Sequence, residues 1–225
     1  MTRRFTTADL MAAGESYHHS PDPVEHYYPE LVLAPSGKRI EEKIDSAVRF
    51  LGPWKALRFR GGATKLKAEY HPWCRDYGWI IEGLHGKRLQ GLQPNDFGLI
   101  AWAAAGLRER GIPSTATGKL LHFLVPDSIL LWDRDVIRDG YHLKDDPFSF
   151  VSYQCFGWRL LRSLRRSEGS EAFRNLEEKH AGAVGYREPL TKILDELAYS
   201  TDLASKAVSA LGGQVEAFRL VPPTT

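Results

Sequence analysis

The sequence is poor in cysteine, with only Cys74 and Cys155 among 225 residues. That excludes a disulfide framework, and no Cys-x-x-Cys pair is present for a zinc ribbon or a dithiol redox site. Both thiols are expected to be free, reduced and at least partly buried. Long apolar runs are also missing, since no stretch approaches the roughly 18 residues that a membrane-spanning helix needs. The opening residues, MTRRFTTADLMAAGESYHH, carry two arginines but no apolar segment. No secretory signal is therefore expected, and the cytoplasm is the expected compartment. Sustained apolar–polar alternation is absent, which argues against a central sheet. Neither an internal repeat nor a low-complexity tract is visible. Several chemistries lack their motifs as well. Gly61-Gly62 and Gly212-Gly213 match no phosphate loop, no Gly-x-Ser-x-Gly elbow occurs, and Cys155 has no local partner for thiol chemistry. His18-His19 and His26 do not stand at a zinc spacing with cysteines, and no metal or organic cofactor is expected.

What is present is an ordinary globular composition, 43% hydrophobic and 26% charged, enough to build one sizeable core. The net charge of +2 is nearly balanced but unevenly spread. Lys55, Arg58, Arg60, Lys65, Lys67, Arg75, Lys87 and Arg88 crowd one segment, opposed by Glu69, Asp76 and Glu82. Arg159, Arg162, Arg165 and Arg166 form a second run without an acid, while acids gather in 133–146 and 168–178. Such asymmetry suits a protein with one phosphate-facing side, and equally a set of solvated helix faces.

Residues 1–35, rich in Pro, His and Tyr, show no helical period and read as an irregular arm over a helical domain spanning 36–225. Ile40, Ile44, Ala47, Val48 and Leu51 fall on one helix face, stopped by Gly52-Pro53. The segment RFRGGATKLKAEYHPW holds turn residues and basic charge, so a loop or short hairpin is expected there. After Pro94, Asn95 or Asp96 can cap a helix through Arg110, with Gly111 in a left-handed C-terminal position and Pro113 blocking continuation. Thr115 or Thr117 can cap a second helix over 118–125, ended by Pro126. A short apolar link then leads to Asp133 and a third helix over 134–139. Pro147 fits the first turn of a long helix through Arg166, with further helices near 168–180, 187–200 and 202–211. The expected fold is all-α, in a single domain.

The stretch GIPSTATGKLLHFLVPDSILLWDRDVIRDGY, Gly111 to Tyr141, carries the chemistry. It resembles the core of the helix-hairpin-helix DNA glycosylase superfamily and of bacterial proteins with the 8-oxoguanine DNA glycosylase fold. In that superfamily a hairpin between two helices grips the DNA backbone, and the second helix leads to an aspartate capping the next one. The resemblance covers about thirty residues by motif, and about half the chain as helix order. It implies DNA as partner, a damaged or enzymatically modified base as substrate, and defence against phage with modified DNA as one role. Asp133 takes the place of the aspartate, and Lys119 that of the lysine which, in bifunctional members, attacks the sugar. Two departures stand out. Lys119 lies only fourteen residues before Asp133, and the turn Pro113–Gly118 has one glycine and three hydroxyls in place of Gly-x-Gly.

The residues support this chemistry in physical terms too. Breaking an N-glycosidic bond develops positive charge on the sugar, which a carboxylate stabilises while activating a water. A helix N-terminus favours the ionised carboxylate at Asp133, although capping alone also explains an Asp there, at roughly 0.5–2 kcal/mol. Lys119 is read as a nucleophile or a phosphate contact, with a charged contact and monofunctional, water-mediated chemistry favoured. Thr115, Thr117 and Gly118 are expected on the DNA backbone, joined by Arg134, Arg138, Arg58 and Arg60. Trp132, Tyr153, Trp158 and His122 are candidates for a base pocket, since a flipped base is read by stacking. Core packing is the competing reading for each tryptophan and for His122. The alternative function is a non-catalytic helical module that binds nucleic acid or protein.

Overall fold

Gly111 adopts the left-handed conformation at φ 76°, letting the Gly111 and Ile112 amides close back on the carbonyls of Arg108 and Leu107. Pro113 then sets the direction of the next helix. These two residues space the helices around the candidate site in a computed structural model that describes residues 4–18, 28–33, 38–138 and 141–212, apart from the side chains of Leu31, Arg134 and Asp135. His19, His26 and Asp139 lie outside the described residues.

Eight α-helices are described: α1 (Thr7–His18), α2 (Ile44–Leu51), α3 (Gly62–Leu84), α4 (Pro94–Glu109), α5 (Ser114–Leu124), α6 (Pro147–Val184), α7 (Leu190–Leu197) and α8 (Thr201–Ala210). Short tight turns precede α2 and α4, and wide single turns cover Pro29–Leu33 and Arg134–Arg138. No strand occurs among the described residues, so the all-α expectation holds. None of the described helices is long and apolar enough to cross a membrane.

Two expectations are corrected. The N-terminal segment is not an irregular arm throughout, because Thr7–His18 is a helix. Leu10, Ala13, Gly14 and Tyr17 form its buried face at helical spacing, a stripe weakened to the eye by one alanine and one glycine. Asp9 accepts from the Thr6 amide at 2.8 Å and ties the start down, and Thr7 is held by Glu168. The basic segment after Arg58 is likewise no hairpin. From Gly62 it enters α3, whose Leu66, Tyr70, Trp73, Ile80, Ile81 and Leu84 are buried. Gly61-Gly62 serve only the left-handed entry to this helix, at φ 88° and 45°, and Pro72 is carried inside it.

Helix α4 starts with Pro94 at its first turn, and Asp96 accepts from the Gln93 amide at 2.8 Å. Helix α6 starts with Pro147 and Asp146 as cap, its Oδ1 accepting from Ser149 N at 2.7 Å. It runs past Arg166 to Val184, broken at Gly169, where φ is 84°. Its first half forms the centre of the core, with Phe150, Tyr153, Phe156, Leu160 and Leu161 buried. Helices α3 and α5 pack on α4, and α4 packs on α6, while α1 lies across α6 and α7. The link 129–132 is entirely buried, and Gln154 clamps it by accepting from Leu130 N at 2.7 Å and donating to Leu130 O at 3.3 Å. This clamp fixes where Asp133 emerges.

Candidate functional site

Asp133 follows the clamped link and opens the wide turn Arg134–Arg138. Its Oδ1 accepts from Val136 N at 3.3 Å, and its carbonyl accepts from the amides of Ile137 and Arg138. It therefore occupies the capping position that the sequence suggested. Helix α5 begins at Ser114, four residues earlier than expected, so Lys119 sits in its second turn. Lys119 Nζ donates to Asp133 Oδ2 at 2.9 Å. The lysine side chain is 4% exposed and the aspartate 23%, so the pair has one buried end and one end that solvent reaches. The Lys119 ammonium also lies 4.8 Å from the centre of the Trp54 ring. Trp54 was not singled out from the sequence as a site residue. It belongs to the loop between α2 and α3, and the exposed Arg58 and Arg60 follow it in that loop.

The other expected contacts divide. Thr115 is half-buried on the first turn of α5 and Arg138 is half-buried, so both keep some exposure; the Arg134 side chain lies outside the described residues. Thr117 is 3% exposed and its hydroxyl donates to Ile112 O at 3.3 Å, which turns it inward. Gly118 does not cradle a phosphate either. A Cβ there would fall 2.3 Å from Trp132 Cβ, so this glycine lets α5 press against the link that carries Asp133. Lys119 is directed to Asp133 rather than to a wet helix start.

The four expected pocket residues do not line one cleft. Trp132 and Tyr153 are fully buried and meet edge to face, with Phe150 on the other side of Trp132. His122 is a core histidine: its Nδ1–H donates to Ile129 O at 2.5 Å and its Nε2 accepts from the Tyr28 hydroxyl at 2.6 Å. Burial pushes its pKa down to about 3, so it stays neutral. Trp158 looks elsewhere, donating to Leu92 O at 3.1 Å, packing on Phe97 and carrying Arg162 over its ring. The indole N–H groups of Trp54 and Trp132 are buried with no acceptor among the described residues. Cys74 and Cys155 are free and buried, and burial pushes both thiols up to about 12, away from reactivity.

A second cluster of chemistry-bearing side chains went unmarked in the sequence. His18 ends α1, His180 lies in the last turns of α6, Glu188 in the following loop and Glu196 on α7; their ligand atoms all lie within 4.8 Å of one another. His180 Nε2 donates to Glu188 Oε2 at 2.6 Å, and the Tyr186 hydroxyl donates to Glu188 Oε1. Lys192 Nζ donates to Glu196 Oε1 at 3.0 Å. The Glu188 and Glu196 carboxylates beside His18 raise its pKa to about 9. Burial alone would raise Glu188, but His18, His180, Lys192 and Tyr186 together hold its carboxyl well below the usual range. No spacing rule joins these residues, because three helices and a loop deliver them.

No family model matches the chain, and no curated protein and no solved structure is found similar to it.

Proposed function

We propose that the chain is a DNA N-glycosylase that flips and excises a damaged or modified base, with Asp133 acting at the sugar. The observation that carries this reading is the Lys119–Asp133 pair at 2.9 Å, which joins the second helix of a helix–turn–helix unit to a carboxylate opening the next turn. The partly exposed carboxylate takes a proton from water as the water oxygen bonds to the anomeric carbon. The bond from that carbon to the base nitrogen breaks, its electron pair leaves with the base, the base takes a proton from solvent water, and the carboxyl gives the proton it accepted back to solvent. Positive charge developing on the sugar is stabilised by the same carboxylate. Lys119 is a positioning residue, buried against Trp54 and holding one carboxylate oxygen while the turn holds the other. The chemistry is monofunctional and leaves an abasic site. Arg58, Arg60, Thr115, Arg138 and Arg134 take the phosphates.

The test is to incubate the full chain with duplex oligonucleotides bearing different modified bases and to measure base release. Asp133→Asn is expected to lower release at least about a hundredfold, the scale of a positioned acid–base group, with the fold kept because Asn also caps. Lys119→Gln is expected to have a smaller effect, and borohydride is expected to trap no protein–DNA adduct. Trapping that vanishes in Lys119→Gln would make Lys119 a nucleophile and overturn the monofunctional part.

One observation favours the alternative of a non-catalytic binding module. A cavity of about 510 Å³ lies away from Asp133, lined by Val32, Leu33, Phe123 and Leu124 and rimmed by Lys38, Arg39, Lys43 and His85. Salt-sensitive binding to DNA with no base release from any oligonucleotide would select that reading.

A further inference from the structure

We propose that His18, His180, Glu188 and Glu196 bind one divalent transition-metal ion, zinc by the chemistry of the donors, and that the ion pins α1 to the junction of α6 and α7. The inference rests on a different part of the molecule from the Lys119–Asp133 pair and stands whether or not the chain excises bases.

Geometry is the first support. The separations are 2.6 Å from His180 Nε2 to Glu188 Oε2 and 3.1 Å from His18 Nε2 to Glu196 Oε1. Those from His18 Nε2 to Glu188 Oε2 and from His180 Nε2 to Glu196 Oε2 are 3.8 and 3.7 Å. Those between the proposed ligand atoms themselves run from 2.6 to 3.8 Å, on either side of the edge of about 3.3 Å expected of a tetrahedron whose N and O ligands stand about 2.0–2.1 Å from zinc, and all the ligand atoms lie within 4.8 Å of one another. Two imidazoles and two carboxylates are a donor set that zinc accepts.

Unmet polar groups are the second support. Glu196 is fully buried, and its Oε2 has no hydrogen-bond partner among the described residues; the same is true of His18 Nε2 and of His180 Nδ1. An ion at the centre of the four would engage the first two of these atoms. Glu196 divides its oxygens accordingly, Oε1 taking Lys192 and leaving Oε2 for the ion. Tyr186 on Glu188 Oε1 is the matching outer partner for the other carboxylate.

Charge is the third. Glu188, Glu196 and Asp195 are all buried, and the lysine among them, Lys192, is buried too. With neutral imidazoles the four ligands carry two negative charges, those of Glu188 and Glu196, which one divalent cation cancels. Helix α1 is fitted closely to the spot, since a Cβ on Gly14 would fall 2.6 Å from His180 Cε1 and 3.0 Å from Glu196 Oε2. Four protein ligands leave no open coordination position, so the ion is structural. His18, with its side chain 21% exposed, is the ligand nearest solvent and marks the way in.

The experiment uses the full chain, stripped with a chelator and titrated with Zn²⁺ alone by calorimetry, then with Co²⁺ alone by visible absorption. One equivalent of Zn²⁺, strong visible bands of tetrahedral Co²⁺ and a higher melting temperature on metal addition are expected. Glu196→Gln and His180→Gln are expected to weaken binding at least about a hundredfold, more than loss of an outer partner does. Should either fail to fold, His18→Gln at the solvent edge serves in its place, with the same expected direction. Absence of Zn²⁺ and Co²⁺ binding by the stripped wild-type chain would overturn the proposal and leave a cluster held by protons alone. Binding that all three variants retain unchanged would overturn it as well, placing the metal elsewhere. Weak, octahedral Co²⁺ bands would overturn the four-ligand assignment.

Discussion

Two groups of buried charge lie in the same helical core and are built in opposite ways. Lys119 and Asp133 are fourteen residues apart, joined through one helix and one clamped link, and the aspartate side chain is 23% exposed. His18, His180, Glu188 and Glu196 come from opposite ends of the chain, and three of the four are sealed from solvent. A pair with one wet end keeps a carboxylate available to something that arrives from outside. A sealed cluster must be satisfied from within, by protons, by Lys192 or by an ion. On the readings proposed above, the first is a place for chemistry and the second a place that holds the molecule together.

The sharpest way to break that comparison is to remove the lysine from each. Lys192→Met takes a buried ammonium from Glu196 at 3.0 Å and from Asp195 at 3.9 Å, and a loss of about 3–5 kcal/mol is expected in urea denaturation. Lys119→Met removes one donor from a carboxylate that solvent reaches, and no more than about 2 kcal/mol should be lost. Equal losses would erase the distinction between a sealed and an open group.

Two glycines test the close fits behind each group. Gly118→Ala pushes a methyl group into Trp132, and Gly14→Ala pushes one into His180 and Glu196; each is expected to cost about 1–3 kcal/mol by overpacking. Gly98→Ala on α4 meets nothing within 4 Å and should instead stabilise by about 0.5–1 kcal/mol. Beyond stability, Gly118→Ala should lower base release and leave Zn²⁺ binding intact, while Gly14→Ala should do the reverse. Thermal melts, the glycosylase assay and calorimetry on the same three variants read these outcomes.

The last expected effect lies in the pH dependence of the metal-stripped chain. His18 faces Glu188, Glu196 and His180, with Lys192 and Asp195 behind them, and its folded pKa of about 9 stands above the ordinary value of 6.5. The stability it contributes is fully present below about 6.5 and is lost as pH rises through about 9. His122 has the opposite sign. Its folded value of about 3 lies below 6.5, so the unfolded chain takes up the proton first and stability falls as pH drops below about 6.5. The depressed Glu188 adds to that acid limb as pH falls below 4.5. Urea midpoints from pH 3 to 10 should therefore fall on both sides of neutrality, and His18→Gln should remove the alkaline limb alone.

Much of the fold was legible where short-range rules act. Gly111 and Pro113 marked the turn between α4 and α5, Pro147 marked the start of α6, and helix order after Pro94 followed from period and punctuation. Helix α1 was hidden because Ala13 and Gly14 fill a face meant for close approach, which weakens the apolar stripe that reveals a helix. Helix α3 was hidden by Gly61-Gly62 and Pro72, whose turn preferences are local and were overridden by a buried face of Tyr70, Trp73 and Ile80.

At the candidate site, the sequence by itself named Asp133 and Lys119 and put Asp133 at a capping position, because both follow from residue type and local order. That Lys119 turns inward onto Asp133 and Trp54 was decided only by the packing of Gly118 against Trp132 and by the Gln154 clamp. The inward burial of Trp132, Tyr153 and His122 was settled the same way, since stacking on a base and filling a core draw on the same residue types. The four-residue cluster lay wholly beyond sequence reading. His18 and Glu196 become neighbours through α1 lying across α7, a contact between segments that no spacing along the chain encodes.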